Sequence, residues 1–321
     1  MALDAAQIGV CKMAPSFPNA LQSIATRVVR PYAFHELYGW GVLYKLLIGH
    51  AERDHFWADA PRVVHKDKRT GYSTELDLSW WADRLTYFLG RWYDLPAQMV
   101  LDSLLKPGDQ VLDIGANRGS FALYASKRIG ETGRVLCFEP NPACVAMLKK
   151  AVEQSAISNI EVFNLGLSDS SGVLSLTIPK INSGEATFGA SQYSKDETYS
   201  VDVDVVRGDS IVSPVVSHFI KIDVEGFEPR VLRGLAATIA RNRPLILTEM
   251  VSSHLARCGS SIGELVQLMT SQNYQGFEIG LSKDHHDWTL TRLTNQVDCD
   301  VLWIPDGRMA GELQGRINRP A

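Results

Sequence analysis

The chain of 321 residues carries a formal net charge of −4, and 45% of its residues are hydrophobic. This length can bury the core of one or two domains, and the composition is that of an ordinary globular protein. The negative charge and the lack of a long basic run argue against a protein that grips nucleic-acid phosphates regardless of sequence, and no apolar run approaches the roughly 20 residues that span a bilayer.

The first 95 residues are predicted to form an N-terminal helical extension that ends in a lid-like segment. Its start, MALDAAQIGV, lacks the basic flank and apolar core of a secretory signal. Residues 1–60 are predicted to be irregular or helical, and residues 65–94 to form a hairpin or short strands followed by a helix. This second stretch holds the aromatic residues Trp80, Trp81, Tyr87, Phe88, Trp92 and Tyr93. Their rings suit either a plain core or a surface that binds sugar rings, and both interpretations stay open.

Residues 96–321 are predicted to form a second domain in which strands and helices alternate from Gly108 onward. Strands are predicted at 111–115, 134–140, 160–167, 219–222, 244–250, 275–279 and 301–305, with hairpin-like strands around the polar loop 180–198. This alternation is typical of an α/β fold with a mostly parallel sheet and helices on both faces.

The segment VLDIGANRGSF joins the first of these strands to a helix and is the first candidate ligand site. The strand ends near Asp113, and Gly115 and Gly119 free the backbone to turn and to let a ligand approach. The GxxxG spacing differs from the GxGxxG that wraps a dinucleotide pyrophosphate. A purely structural glycine turn is the alternative interpretation.

Acidic and polar residues also end the next two strands. Glu139 lies 20 residues beyond Gly119, where a carboxylate can accept hydrogen bonds from both ribose hydroxyls. Asn141 follows it, and Ser168 and Asp169 end the third strand, where a polar side chain can meet an adenine edge. The alternatives are a helix N-terminal acid for Glu139 and turn chemistry for Ser-Asp. Together these turns predict a nucleoside-type ligand without a pyrophosphate, for which S-adenosylmethionine is the candidate.

The segment FIKIDVEGFEPRVLRGL, residues 219–235, brings an apolar strand directly into three carboxylates. A partly desolvated carboxylate at Asp223 or Glu225 has the properties of a general base, whereas Glu228 is explained by the dipole of the helix that Pro229 starts. Glu249 ends the fifth strand, and His254 lies one helical turn beyond it. If Asp223 and Glu249 face each other, they could hold Mg²⁺.

Five motifs occur in an order that resembles the FkbM family of methyltransferases: DIGANRG, CFEPNP, NLGLSD, IKIDVEGFEPRVLRG and PLILTE. With the upstream LDLSWW…FLGRWYD segment, the likeness covers roughly residues 65–305, whereas residues 1–60 match only weakly. The resemblance implies a class I methyltransferase fold, with a Rossmann-like, seven-stranded, mostly parallel sheet whose last strand is reversed. It also implies S-adenosylmethionine-dependent O-methylation of a hydroxyl on a sugar, glycolipid or related natural product.

The residues and the resemblance together predict two sets of functional side chains. The cofactor set is Asp113, Gly115, Ala116, Asn117, Gly119, Glu139, Asn141, Ser168, Asp169 and, from the resemblance, Tyr93. The candidate catalytic set is Asp223, Glu225, Glu249 and His254. The expected partner is a small-molecule or glycan acceptor with a free hydroxyl and no nucleic acid, and the sequence is compatible with a homo-oligomer.

Two other classes of protein stay open at this point. An NAD-dependent oxidoreductase would need the pyrophosphate-binding turn that GANRGS lacks, and a non-catalytic methyltransferase-like binding module would not need the intact acids. The five cysteines have no CxxC spacing, which favours reduced thiols in a cytoplasmic protein.

Overall fold

The computed structural model describes residues 19–180, 183–212, 217–282, 287–294, 298–308 and 312–317. The chain divides into two compact units, Met1–Tyr93 and Asp94–Ala321. None of the helices within the described ranges is long and apolar enough to cross a membrane. The four cysteines in those ranges, Cys137, Cys144, Cys258 and Cys299, are free thiols.

The first unit packs three helices with a short hairpin. Its elements are α1 Ala20–Phe34, α2 Trp40–Leu47, a 3₁₀ turn Ala51–Trp57, the antiparallel strands β1 Arg62–Lys66 and β2 Ser73–Asp77, and α3 Trp81–Leu89. The Phe88 ring lies at the centre of the core, 5.4 Å from the Tyr44 ring and 6.4 Å from the Trp57 ring in edge-to-face contacts. Such contacts add to the stabilisation that burial of the rings provides.

The predicted aromatic segment is therefore divided between the core and the surface. Tyr87 and Phe88 are buried within the first unit, and the guanidinium of Arg30 lies 4.4 Å from the Tyr87 ring centroid. The core interpretation applies to these two side chains. Tyr93 is 36% exposed and lies 5.2 Å from the Trp81 ring, at the end of the unit.

The second unit follows the predicted alternation. Its elements are α4 Leu95–Leu104, β3 Gln110–Ile114, α5 Ser120–Ile129, β4 Arg134–Phe138, α6 Pro142–Gln154, β5 Ile160–Phe163, β6 Gly166–Ser168, β7 Gly172–Pro179, β8 Thr198–Arg207, α7 Gly208–Val212, β9 Phe219–Ile222, α8 Glu228–Gly234, α9 Ala236–Asn242, β10 Leu245–Met250, α10 Ser252–Arg257, α11 Ile262–Ser271, β11 Tyr274–Leu281, β12 Trp288–Arg292, β13 Cys299–Pro305 and α12 Glu312–Gly315.

The main sheet has the strand order β12-β11-β13-β10-β9-β3-β4-β5. The strands from β10 to β5 are parallel, whereas β13 is antiparallel to β10. The predicted α/β fold class is confirmed, including the reversed last strand. Within the described residues the main sheet has eight strands rather than the expected seven, because β12 adds an antiparallel edge strand to β11.

The strand predicted at 160–167 is in fact two strands in two sheets. After β5 the Asn164 side chain donates hydrogen bonds to the backbone carbonyls of Glu139 and Pro140, at 3.1 and 3.0 Å. These bonds fasten the chain beside β4, and β6 then joins the hairpin strands in a three-stranded sheet of order β6-β8-β7. The end of β6 is therefore not part of the main sheet.

The core of the second unit lies between the parallel strands and their helices. The buried apolar residues of β3 and β9 pack with those of α8 and α9 in one cluster. Burial of such side chains stabilises the fold by about 25 cal/mol for each Å² of apolar surface removed from water. Thr248 is fully buried and accepts a hydrogen bond of 2.9 Å from the Trp303 indole, so the one polar group at that position is paired.

The strand order changes direction between β3 and β9. From β3 the chain moves outward through β4 and β5, and it later returns to the other side of β3 through β9 and β10. The loops at the carboxyl ends of β3 and β9 therefore lie at the position in the sheet where open α/β proteins bind ligands.

Candidate functional site

The turn after β3 is held close to the end of β9 by a glycine. Gly115 has φ +77°, and a Cβ built there would lie 1.8 Å from the Asp223 carbonyl oxygen. Only glycine fits such a conformation and such a close approach. Gly119, at φ +88°, begins α5 against Leu148, whose Cδ1 would be 2.2 Å from an added Cβ.

Glu139 connects this turn to the end of β4. Its two carboxylate oxygens accept the backbone N–H groups of Asn117 and Asn141, at 2.7 and 2.8 Å. The N–H groups of Gly115 and Ala116 donate to the carbonyl of Phe138, the last residue of β4, so the turn lies against the carboxyl end of that strand. Burial raises the pKa of Glu139 to about 7, although the hydrogen bonds from the two backbone N–H groups lower that pKa.

Other predicted cofactor residues have structural partners of their own. Asn141 is buried and caps α6 by accepting the Ala143 N–H at 3.0 Å. The buried Ser168 hydroxyl lies 3.3 Å from the Asp169 carboxylate, and Asp169 pairs with Arg233 at 3.3 Å. A role of these residues in cofactor binding stays a prediction, as does the role of Tyr93 in the first unit.

Lys221, whose side chain is largely but not fully buried, is the central cation of the site, and the sequence reasoning gave it no role. Its Nζ lies 3.1 Å from Oδ2 of Asp223 and 3.7 Å from Oδ1 of Asp113, and it donates to the Gly115 carbonyl at 3.0 Å. Burial alone would lower the pKa of Lys221, but the carboxylates of Asp223 and Asp113 outweigh it and raise that pKa above its usual value. Lys221 thus joins the ends of β3 and β9 electrostatically.

Asp113 is fully buried beneath the turn. Neither of its carboxylate oxygens has a hydrogen-bond partner within the described ranges of the chain. Burial raises the pKa of Asp113 to about 6, although Lys221 lowers it. A charged lysine between apolar neighbours in the FIKI strand was the sequence signal for this arrangement, because buried ammonium groups need acidic partners.

The loop from Asp223 to Glu228 has a constrained backbone. Glu225 has φ +54°, an uncommon conformation for a non-glycine residue. A Cβ at Gly226 would lie 2.1 Å from the His254 carbonyl oxygen, so this loop packs directly on the backbone of α10. The buried Glu228 carboxylate accepts the N–H groups of Val224 and Gly226, at 3.1 and 3.3 Å, which agrees with its structural interpretation.

Glu225, Glu249 and His254 form a cluster beside this loop. Nδ1 of His254 lies 3.0 Å from Oε2 of Glu225 and 3.3 Å from Oε2 of Glu249. These two carboxylates raise the pKa of His254 to about 10, so the imidazole is protonated at neutral pH. Burial raises the pKa of Glu225 to about 7 and also raises the pKa of Glu249. The electrostatics therefore favour a carboxylate over His254 as a proton acceptor.

Asp223 and Glu249, which the sequence predicts as a facing pair, lie in different environments. The Asp223 side chain is 41% exposed and lies against Lys221, whereas Glu249 lies against His254. Asp300 on β13 is directly opposite Glu249 in the ladder. Sequence reasoning missed Asp300 because only the antiparallel pairing brings it here.

This geometry can be set beside known proteins. A family model described as the methyltransferase FkbM domain matches residues 113–276, a little over half of the 321 residues. The chain belongs to the FkbM methyltransferase family. The resemblance drawn from the five motifs is confirmed, and the matched range contains the turn after β3, the Glu139 strand end and the Glu225 cluster of this FkbM-family chain.

Individual relatives align with only part of the FkbM-family chain. It is 29% identical over 144 residues to Methyltransferase 1 of Beauveria bassiana (strain ARSEF 2860), covering 39% of this chain and 57% of that protein. It is 28% identical over 155 residues to Methyltransferase sdnD of Sordaria araneosa, covering 39% and 60% respectively. The chain thus matches less than two thirds of the length of these relatives.

A solved structure, the methyltransferase FkbM from Methylobacillus flagellatus KT, aligns with a TM-score of 0.41 and 15% sequence identity. The alignment covers 88% of this chain and 58% of that one.

Proposed function

We propose that this chain is an S-adenosylmethionine-dependent O-methyltransferase that acts on a hydroxyl of a sugar, glycolipid or related natural product. The observation that carries the proposal is the row of carboxylates at neighbouring strand ends, where Lys221 and the close contact of Gly115 with Asp223 hold the loops after β3 and β9 together. Membership of the FkbM family supports the same activity.

The residues at the ends of β3 and β4 suit the cofactor. The Glu139 carboxylate accepts one N–H on each oxygen, and each oxygen retains a lone pair for a ribose hydroxyl. The fully buried Asp113 supports the turn from beneath through its ion pair with Lys221. S-adenosylmethionine supplies an electrophilic methyl group on a cationic sulfonium, and an acidic site favours a cation.

The same charge distribution disfavours the oxidoreductase alternative. A dinucleotide brings an anionic pyrophosphate, which binds at a helix N-terminus preceded by a GxGxxG turn. Here the turn has GxxxG spacing, the acids Asp113 and Asp223 lie beside it, and Lys221 is already paired with both.

The acids at the ends of β9 and β10 suit the acceptor. Asp223 and Glu225 lie in the loop after β9, Glu249 lies near the end of strand β10 and His254 in helix α10. There they can bind a hydroxyl and take its proton as methyl transfer proceeds. A well-positioned base contributes roughly 10²–10⁴ in rate, and alignment of the two reactants contributes on the order of 7–11 kcal/mol.

Calorimetry with S-adenosylhomocysteine tests the cofactor, and labelled S-adenosylmethionine with a panel of glycosides, glycolipids and total RNA tests the acceptor. We expect micromolar cofactor binding and label only in hydroxyl-bearing small molecules or glycans. The variant Asp223→Asn should lose turnover while it binds the cofactor within a few-fold of the wild type. A folded protein that binds no S-adenosylhomocysteine, or that labels RNA alone, contradicts the proposal.

A matched control separates charge at the site from charge in general. Glu161→Gln removes a carboxylate from the exposed end of β5, where it pairs only with Arg134 among the contacts described. This variant should bind the cofactor and turn over like the wild type, because surface ion pairs contribute little.

A further inference from the structure

The cluster of Glu225, Glu249 and His254 has the spacing of a set of metal ligands as well as that of an ion-paired triad. One donor atom from each side chain lies within 4.8 Å of the other two. Ligand atoms that sit about 2.0–2.2 Å from a common cation are themselves roughly 3–4 Å apart. The 3.0 and 3.3 Å separations between Nδ1 of His254 and the two carboxylates lie in that range.

Two of these donor atoms are buried without a correctly directed hydrogen bond. Oε2 of Glu225 and Nδ1 of His254 are close, but within the described part of the chain neither atom has a hydrogen-bond partner. Buried polar atoms in folded proteins are nearly always satisfied. A bound cation would satisfy both atoms at once.

The backbone holds the cluster in place before any ligand arrives. The Glu225 carbonyl accepts a hydrogen bond of 3.2 Å from the Thr187 hydroxyl, and the next residue, Gly226, packs on the carbonyl of His254. The loop after β9 and the helix α10 are therefore joined through main-chain contacts, which fixes Glu225 relative to His254. Pre-organised ligands of this kind are what a metal site requires.

The surrounding charge is negative. Asp300 lies opposite Glu249 in the sheet, and Asp223 lies two residues before Glu225 in the same loop. Arg257 approaches Glu225 only to 4.0 Å. A divalent cation would balance the two carboxylates of the cluster.

We propose that Glu225, Glu249 and His254 bind a first-row divalent transition-metal ion such as Mn²⁺ or Zn²⁺. One imidazole and two carboxylates suit these ions better than Mg²⁺, which prefers oxygen ligands alone. Three protein ligands leave coordination positions open, as in catalytic rather than structural metal sites. The set differs from the Asp223–Glu249 pair expected from the sequence, because Lys221 holds Asp223.

The role of this ion rests on the proposed function, whereas its binding does not. An acceptor hydroxyl that occupies an open position would become more acidic. Asp223 lies outside the cluster and is then the carboxylate that receives the proton. The cluster would thus act on the acceptor hydroxyl through the ion, and Asp223 would act on it directly.

The test uses the full chain, stripped with a chelator and dialysed against MnCl₂ or ZnCl₂, with bound metal measured per chain. We expect one ion per chain, not displaced by a large excess of Mg²⁺. Glu249→Gln and His254→Ala should each weaken binding by about 100-fold or more, since loss of even an outer-sphere partner costs 10–100-fold. Glu161→Gln should bind like the wild type.

Thermal melting of each variant without metal shows whether it folds. If His254→Ala does not fold, Glu249→Gln still tests the site, because it keeps the shape of the side chain. No binding by the folded wild type, or equal binding by Glu249→Gln, overturns the inference. S-adenosylhomocysteine binding is measured on the same samples. Protein that binds this ligand but no metal refutes the metal site and leaves the proposed function standing.

Discussion

Replacing Lys221 by methionine should strongly destabilise the second unit. The lysine side chain is only 14% exposed and pairs with both Asp113, which is fully buried, and Asp223. Removal of one partner from a buried ion pair typically costs about 3–5 kcal/mol because it leaves an uncompensated charge. We expect about 3 kcal/mol, at the low end, because Asp223 is partly exposed and can recover water.

The loss should depend on pH through Asp113. Burial raises the pKa of Asp113 from 3.8 to about 6 even with Lys221 present, and two units correspond to about 3 kcal/mol at about 1.4 kcal/mol per unit. Because the folded-state pKa is the higher one, this contribution to stability is fully present below the unfolded-state value and is lost as the pH rises through about 6. Without Lys221 the Asp113 pKa rises further, so Lys221→Met should be less destabilising near pH 5 than near pH 8.

Urea unfolding at the two pH values, followed by tryptophan fluorescence, measures the effect, since Trp288 and Trp303 are buried in the same unit. The double variant Asp113→Asn with Lys221→Met should recover a large part of the loss. Arg134→Met, which removes an exposed partner of Glu161, is the control and should change stability by no more than about 1 kcal/mol. An equal loss at both pH values, or no recovery in the double variant, would refute the reasoning.

Three further predictions concern the turn and the two strand ends. Gly115→Ala should abolish S-adenosylhomocysteine binding or folding, because the added methyl group meets the Asp223 carbonyl. Calorimetry and thermal melting measure the two effects. The control Gly172→Ala has open space around it and should change stability by no more than about 0.5 kcal/mol. Glu139→Gln should weaken S-adenosylhomocysteine binding by about 10–100-fold, since hydrogen bonds to charged groups contribute about 1.5–3 kcal/mol, and wild-type affinity should fall as the pH drops below the Glu139 pKa of about 7. In metal-free protein the His254 imidazole should titrate near pH 10 by NMR, and stability should fall as the pH rises through that value, because the folded-state pKa lies above 6.5.

Each of these predictions has an outcome that contradicts it. Normal cofactor affinity in Gly115→Ala would mean that the turn can move away from Asp223. An affinity that does not change between about pH 6 and pH 8 would separate Glu139 from the cofactor. A His254 resonance that titrates near its usual value would show that the two carboxylates are not both charged beside it.

The alternation of strands and helices could be predicted because it depends on local patterns. The apolar runs at 111–115 and 219–222, each followed by polar residues, place strand ends correctly because burial on both faces of a parallel sheet demands such runs. The break at Asn164 was missed, since the pattern of 160–167 is uniformly compatible with a strand and only the side-chain bonds of Asn164 to β4 divide it. The edge strand β12 was missed although WTLTR alternates apolar and polar residues as a strand does.

The residues of the site could be predicted better than their grouping. Asp113, Glu139 and Glu249 follow from strand ends, which the sequence locates. The grouping of Glu225 with His254 depends on the positive φ of Glu225 and on the contact of Gly226 with α10, which are tertiary features. The sequence could have flagged Lys221, a single charge inside an apolar strand, but not its three partners.

The contacts of Gly115 and Gly226 have a consequence for redesign of this protein. Backbone atoms of neighbouring segments contact the loop from Asp223 to Glu228 on two sides, so this loop tolerates neither insertion nor deletion. Anyone who wishes to alter acceptor preference would exchange side chains here and keep the residue count between Asp223 and Glu228 unchanged.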